Sequence, residues 1–396
     1  MSKLVSPHGG TLNPRLVEDE EQKASALKSA QNLKQIVVSS KEESDLIMLA
    51  TGSFSPLNGF MGQTDYESVV TDMRMVDGLL WPIPITLAVT ETVACDIDIG
   101  EQIALLSPDT NDIIATMTVS EKYAYNKQHE AQNVFCTTDE AHPGVKKIYE
   151  QGNIYLGGPV EVFSEGEYPE LYPEYGRPAE TRKLFTEKGW GTVAAFQTRN
   201  PIHRSHEYLT KVAMEVCDGV LIHPIVGKLK AGDIPADTRM KCYQAMLDNY
   251  YKPDNTTLKV YPMEMRYGGP REAILHAIIR QNFGCSHMII GRDHAGVGDY
   301  YGPFDAQDIF DKLKPGDIQL KPLKLDWTFW CNKCEAIVST KTCPHGHDDH
   351  LMISGTKLRE MLANGERPPV EFGRPEVIDI LIDYYEGQNK SLSEAI

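Results

Sequence analysis

No apolar run in this chain approaches the roughly 20 residues needed to cross a bilayer, and the N-terminus lacks the charged-then-apolar pattern of an export leader. A cytoplasmic protein without a membrane partner is therefore expected. Positive charge is scarce as well. Lys and Arg number 39 against 56 Asp and Glu, and the net charge of −17 argues against general affinity for nucleic acid or anionic lipid. Any anion site must be built from a few local cations. Eight cysteines in 396 residues are too sparse for a disulfide framework, and Cys95, Cys136, Cys217, Cys242 and Cys285 are scattered, most of them in apolar runs. There is no G-x-x-x-x-G-K-[ST] segment, which disfavours a P-loop enzyme. No repeat period or low-complexity tract stands out.

The apolar content of 41% is enough for at least two cores, and the grammar of the chain changes along its length. Residues 1–168 read as a β-rich domain of short strands and turns. Ile103 to Ser107 and Ile113 to Val119, joined through Pro108-Asp109-Thr110-Asn111-Asp112, carry a hairpin signature. Pro82 and Pro84 confine Leu80 to Val89 to an edge or irregular strand. The stretch from Glu165 to Gly176 is rich in Glu, Tyr and Pro and suits a linker. Residues 169–320 then alternate helix and strand, the pattern of an α/β domain. Residues 321–396 form a small third region holding the remaining cysteines.

The most informative segment is Gln197-Thr198-Arg199-Asn200-Pro201-Ile202-His203-Arg204-Ser205-His206. The buried-strand pattern of Thr192 to Phe196 feeds it, and Leu209, Val212, Ala213 and Val216 follow at helical spacing. His203 and His206 thus sit where strand becomes helix, at a place that favours anions. An isolated H-x-x-H is often only a pair of satisfied polar residues. Here Arg199 adds a bidentate anion donor and Asn200 an amide, while Pro201 forces an extended approach. A second loop, Gly291-Arg292-Asp293-His294-Ala295-Gly296-Val297-Gly298, also follows a strand. Its glycines would turn backbone N–H groups outward, and Asp293 would need magnesium, a ribose or a cation such as Arg199 to face. At Ile353-Ser354-Gly355-Thr356, Ser354 or Thr356 is placed to cap a helix; the alternative reading adds these hydroxyls and Arg359 beyond them as phosphate donors. These sites offer donors but no Ser-His-Asp set and no clear nucleophile. Electrostatic catalysis of nucleotidyl transfer fits them better than covalent catalysis.

These residues make the chain resemble the ATP sulfurylase (sulfate adenylyltransferase) family. The likeness extends over Ser6-Pro7-His8-Gly9-Gly10, Pro56 to Met61, Gln197 to His206, Met265 to Glu272, Gly291 to Gly298 and Ile353 to Thr356, and so over nearly the whole length. It implies a PUA-like N-terminal domain, a catalytic domain of the nucleotidylyltransferase type and a small C-terminal domain. It further implies conversion of ATP and sulfate to adenosine 5'-phosphosulfate and pyrophosphate, reversibly, in a homo-oligomer. By the same resemblance Gln197 and Asn200 contact ATP, His203 and His206 hold its phosphates, and Thr198, Arg199 and Asn200 form the active trio. Gly291, Arg292, Asp293 and His294 line the nucleotide, while Arg199 and the Ala295 N–H hold sulfate. Magnesium is expected to arrive with ATP, since no dedicated carboxylate cage is visible. The kinase-like extension of some members is not expected. Two rivals remain: a nucleotidylyltransferase with another acceptor, and an RNA-binding PUA and zinc module, which the acidic balance disfavours.

Cys331-x2-Cys334-x8-Cys343-x3-His347 supplies three thiolates and an imidazole at spacings that close around tetrahedral zinc. His345 and His350 compete, and spacing favours His347. Four protein ligands leave no open position, so the metal would be structural.

Overall fold

The computed structural model describes residues 3–228, 233–352 and 355–394. Five parallel strands form the central sheet, in spatial order Thr256–Leu258, Gly219–Ile222, Val193–Phe196, His287–Ile290 and Lys321–Lys324. Numbered along the chain that order is 3-2-1-4-5, so the direction of winding reverses between Val193–Phe196 and His287–Ile290. In open parallel sheets the crevice at the carboxyl ends of two such strands is where ligands bind.

Both faces of the sheet are covered, which is why its inner strands Val193–Phe196 and Gly219–Ile222 are buried, unbroken apolar runs. Alternation sends Val193 and Ala195 into one core and Ala194 and Phe196 into the other. Helix Gly269–Asn282 packs into the first core with Ala273, Ile274, Ala277 and Ile278. Its entry is special. Gly269 has φ +50°, and a Cβ there would lie 2.7 Å from the Tyr301 ring, so only glycine fits. Helix Arg204–Val216 lies on the other face through Leu209 and Ala213, with helix Ala236–Tyr250 contributing Cys242, Tyr243 and Met246.

The N-terminal region carries a seven-stranded sheet containing the expected hairpin, Gln102–Leu106 against Ile113–Thr118. Only Leu87–Val89 of the proline-bearing stretch becomes a strand. The region is less purely β than its turn-rich sequence implies, for six helices lie among its described residues, from Glu20–Ala30 to Pro143–Glu150. Its core is continuous with that of helix Gly269–Asn282, so the two regions share one interior.

The expected third region needs a correction. Lys321–Lys324 lies beyond the boundary at 320 yet pairs along its length with His287–Ile290, so the central sheet extends past that point. Helices Gly355–Ala363 and Pro375–Glu394 contribute Leu358, Leu362, Val377 and Leu381 to the core that contains Leu209, Tyr243 and Met246. What stands apart is a small antiparallel sheet of Thr328–Cys331, Ala336–Ser339 and His350–Leu351. Ile353, Ser354 and the side chain of Thr356 lie outside the described residues.

Candidate active site

At the winding reversal, Gln197 to Asn200 leave one strand and Gly291 to Ala295 leave its neighbour. Both segments line a single cleft of about 390 Å³, with His203, Ser205 and His206 on the same wall. Tight local bonding shapes the first segment. The Asn200 N–H donates to Thr198 Oγ1 at 3.0 Å, the Ile225 N–H to the Thr198 carbonyl at 3.1 Å, and the Tyr243 hydroxyl to the Asn200 carbonyl at 2.5 Å. Helix Arg204–Val216 then begins with His203 at its N-cap and no side-chain cap. The Arg204 N–H is already taken by the Phe372 carbonyl at 2.9 Å, which leaves the Ser205 and His206 N–H groups as the helix-end donors.

The rings of His203 and His206 stack with centroids 3.6 Å apart. Enclosure by protein holds both well below the ordinary imidazole value. For His203 the facing His206 adds to the depression, while the Pro201 carbonyl partly offsets it for His206, which titrates at about 4. Both rings are neutral at pH 7. The Arg199 guanidinium packs over the Tyr267 ring at 5.2 Å. Arg199 Nη1, Gln197 Oε1, His203 Nδ1 and His206 Nδ1 are all buried without a protein hydrogen-bond partner. Buried polar atoms are rarely left so, and four around one cleft mark a place made for a polar ligand.

The second loop works differently from its glycine-rich reading. Besides Gly298 at φ +52°, its left-handed residues are Asp293 and Ala295, both at φ +56°. Non-glycine residues hold that conformation only when the surroundings enforce it, at a cost of about 1–3 kcal/mol each. Three backbone bonds do so: Asp293 N–H to Pro303 at 2.9 Å, Gly296 N–H to Asp293 at 3.1 Å and Gly269 N–H to Ala295 at 3.1 Å. The partner of Asp293 is Arg292, whose Nε lies 3.1 Å from Oδ2, rather than Arg199. Arg292 itself lies over the Trp327 ring at 4.2 Å. Asp326, Trp327 and Thr328 also line the cleft, and no periodicity in the sequence singled them out. Arg359 is not among the described lining residues.

Residues 174–384 match the ATP-sulfurylase family and residues 5–165 the PUA-like domain family. The chain belongs to the ATP-sulfurylase family. A sulfate adenylyltransferase of Psychrobacter sp. (strain PRwf-1) is 54% identical over 391 residues, covering 97% of this chain and 93% of the relative. That of Desulforamulus reducens is 53% identical over 388 residues, covering 98% and 100%. Among solved structures, a hexameric APS kinase from Thiobacillus denitrificans superposes with a TM-score of 0.74 at 25% identity, over 96% of this chain and 68% of that one.

The small antiparallel sheet gathers a second cluster. Ligand atoms of Cys331, Cys334, Cys343 and His345 all lie within 4.8 Å of one another. His345, not the expected His347, is the imidazole of this set, with Nδ1 3.3 Å from Cys331 Sγ and 3.2 Å from Cys334 Sγ. The hairpin from Thr328 to Ser339 brings Cys331 and Cys334 together, and the turn after Cys343 places a residue two further on over them. His347 falls past that turn and lies beside His350. Three thiols and an imidazole at this separation suit a tetrahedral ion with metal–ligand bonds of about 2.0–2.3 Å.

Proposed function

We propose that the cleft transfers the adenylyl group of ATP to sulfate. A sulfate oxygen attacks the α-phosphorus in line, the new S–O–P bond forms as the bond to the β-phosphate oxygen breaks, and pyrophosphate leaves. No covalent intermediate with the protein is required, and the same groups serve the reverse reaction. Two polyanions must be brought close together, so the main tasks are neutralisation and alignment.

Arg199 is the sulfate ligand. Its permanent charge offsets repulsion as sulfate nears the α-phosphate, and its planar fork matches two oxygens of a tetrahedral anion. The Ala295 N–H, held at a left-handed position, is the second sulfate donor. His203 and His206 bind the β- and γ-phosphates as neutral donors, helped by the N–H groups at the helix start. Gln197, Thr198 and Asn200 fix the α-phosphate, and Gly291, Arg292, Asp293 and His294 form the nucleotide wall. Magnesium bound to the triphosphate would offset part of its charge. Zinc at Cys331, Cys334, Cys343 and His345 would have a closed ligand set, so it would hold the small sheet, and with it Trp327 and Thr328 beside the cleft, rather than take part in the chemistry. The subunits assemble as a homo-oligomer.

The observation that carries this reading is the convergence of unpartnered donors, Arg199 Nη1 and the two imidazoles, on one cleft at the winding reversal. Arg199→Ala should lower sulfate-dependent pyrophosphate release by about a hundred- to a thousand-fold with an unchanged melting temperature. Near-normal release would refute the sulfate role. Pyrophosphate–ATP exchange that proceeds equally without sulfate would point to a different acceptor.

A further inference from the structure

Behind the cleft, helix Gly269–Asn282 carries a fully buried file of Glu272, His276 and Arg280 at four-residue spacing, which places them on one face. None of them lines the cleft, yet His276 touches two residues that do. Its Nδ1 lies 2.9 Å from Gln197 Nε2 and 3.2 Å from His294 Nε2, and the Gln197 nitrogen is also 3.4 Å from Nε2 of the same ring. On the other side, His276 Nε2 lies 3.4 Å from Glu272 Oε1. We propose that Glu272 and His276 are positioning residues, which fix the proton of His276 on Nε2 and so present Gln197 to the nucleotide as a hydrogen-bond donor and His294 as an acceptor through Nδ1.

The protonation follows from counting donors. Glu272 accepts the Arg266 N–H at Oε1 and the Gly268 N–H at Oε2, both at 2.9 Å, so it acts as an acceptor on both oxygens. Burial alone would push its carboxyl up, but His276 and those two N–H groups outweigh this and keep it ionised. An ionised oxygen facing His276 Nε2 demands a proton on that nitrogen. Burial, reinforced by the charges of Arg280 and Arg266 against the opposing pull of Glu272, keeps the ring neutral. Nδ1 is then a bare acceptor. Gln197 must turn its NH2 toward it, which leaves the second amide hydrogen for a substrate oxygen. His294, also neutral, must carry its one proton on Nε2 to share the same Nδ1 lone pair, which leaves its own Nδ1 as an acceptor for the nucleotide. Without the pair, the Gln197 amide loses the contact that fixes its orientation.

This inference deepens the adenylyl-transfer reading and rests on it for the ligand, but its first test does not. Nitrogen NMR of histidine-labelled, substrate-free protein at pH 7 should show His276 as the neutral Nε2–H tautomer. A charged ring or an Nδ1–H tautomer would overturn the proposal, whatever the enzyme's activity. The second test is His276→Phe, which removes the acceptor and keeps the volume roughly constant. The expected result is a KM for ATP raised about ten-fold or more, with the circular dichroism and melting curve retained and His294 no longer held in one tautomer. An unchanged KM with an unchanged His294 spectrum would overturn it. If Phe fails to fold, Glu272→Gln read by the same spectra decides: His276 should lose its single tautomer, and a retained Nε2–H form would count against the role of Glu272.

Discussion

His203 and His206 show how a pair of residues acquires its chemistry from enclosure. A histidine whose folded value lies below its unfolded one of about 6.5 binds fewer protons when folded. The stability it contributes is whole above that value and drains as pH falls toward the folded value, about 4 for His206. The melting temperature of the unliganded protein should therefore fall between pH 6.5 and pH 4 by more than that of His206→Gln, which has no imidazole to charge. Equal slopes for the two proteins in a pH series of thermal melts would remove this account. If the proposed phosphate role holds, pyrophosphate would supply the counter-charge that the rings lack, and its affinity should rise as pH drops from 7 to 5.5, measured by calorimetry. The residues themselves were legible in the sequence because a strand pattern, a proline and a helical period bracket them. Their stacking and missing partners were not, since those depend on what surrounds them in space.

At the scale of elements, the Cys/His cluster separates spacing from geometry. The three cysteines were found by their intervals along the chain, but the fourth ligand depends on which way the turn after Cys343 faces. His345→Ala should release zinc and lower the melting temperature, whereas His347→Ala should keep one zinc per chain. Metal analysis of both variants, purified without chelator, checks this, and zinc retained only in His345→Ala would reverse the assignment. The Lys321–Lys324 strand and the N-terminal helices were missed for a related reason. In helix Ser40–Ala50 every residue from Ser44 to Ala50 is buried, so no polar face gives it a 3.6-residue stripe. Hairpin and switch-point strands, by contrast, announce themselves through turn residues and length.

For the molecule as a whole, the cores run across the region boundaries. The C-terminal helices cover Tyr243 and Met246, and the fifth strand closes one edge of the central sheet. A chain ending at residue 320 should be insoluble, or should melt without a cooperative transition. A soluble, cooperatively folded 1–320 fragment would show that the C-terminal region is dispensable for folding. A pair at the same junction makes a finer test. Arg374 donates to Glu207 through Nε at 2.9 Å and Nη2 at 2.8 Å, tying the C-terminal segment to helix Arg204–Val216. Arg374→Met should cost about 1–3 kcal/mol in denaturant unfolding. No helix among the described residues is long and apolar enough to cross a membrane.

The sequence by itself determined the alternating α/β order, the hairpin, the Gln197 to His206 segment at a strand-to-helix junction and the three thiols, because each is written in residues close together along the chain. Tertiary structure alone decided that the two loops meet at one cleft, that Asp293 pairs with Arg292, that His345 completes the thiol cluster and that Glu272 and His276 stand behind Gln197. Those outcomes turn on contacts between residues far apart or around a turn, and they are set by how the sheet winds and which side chains its cores exclude from water.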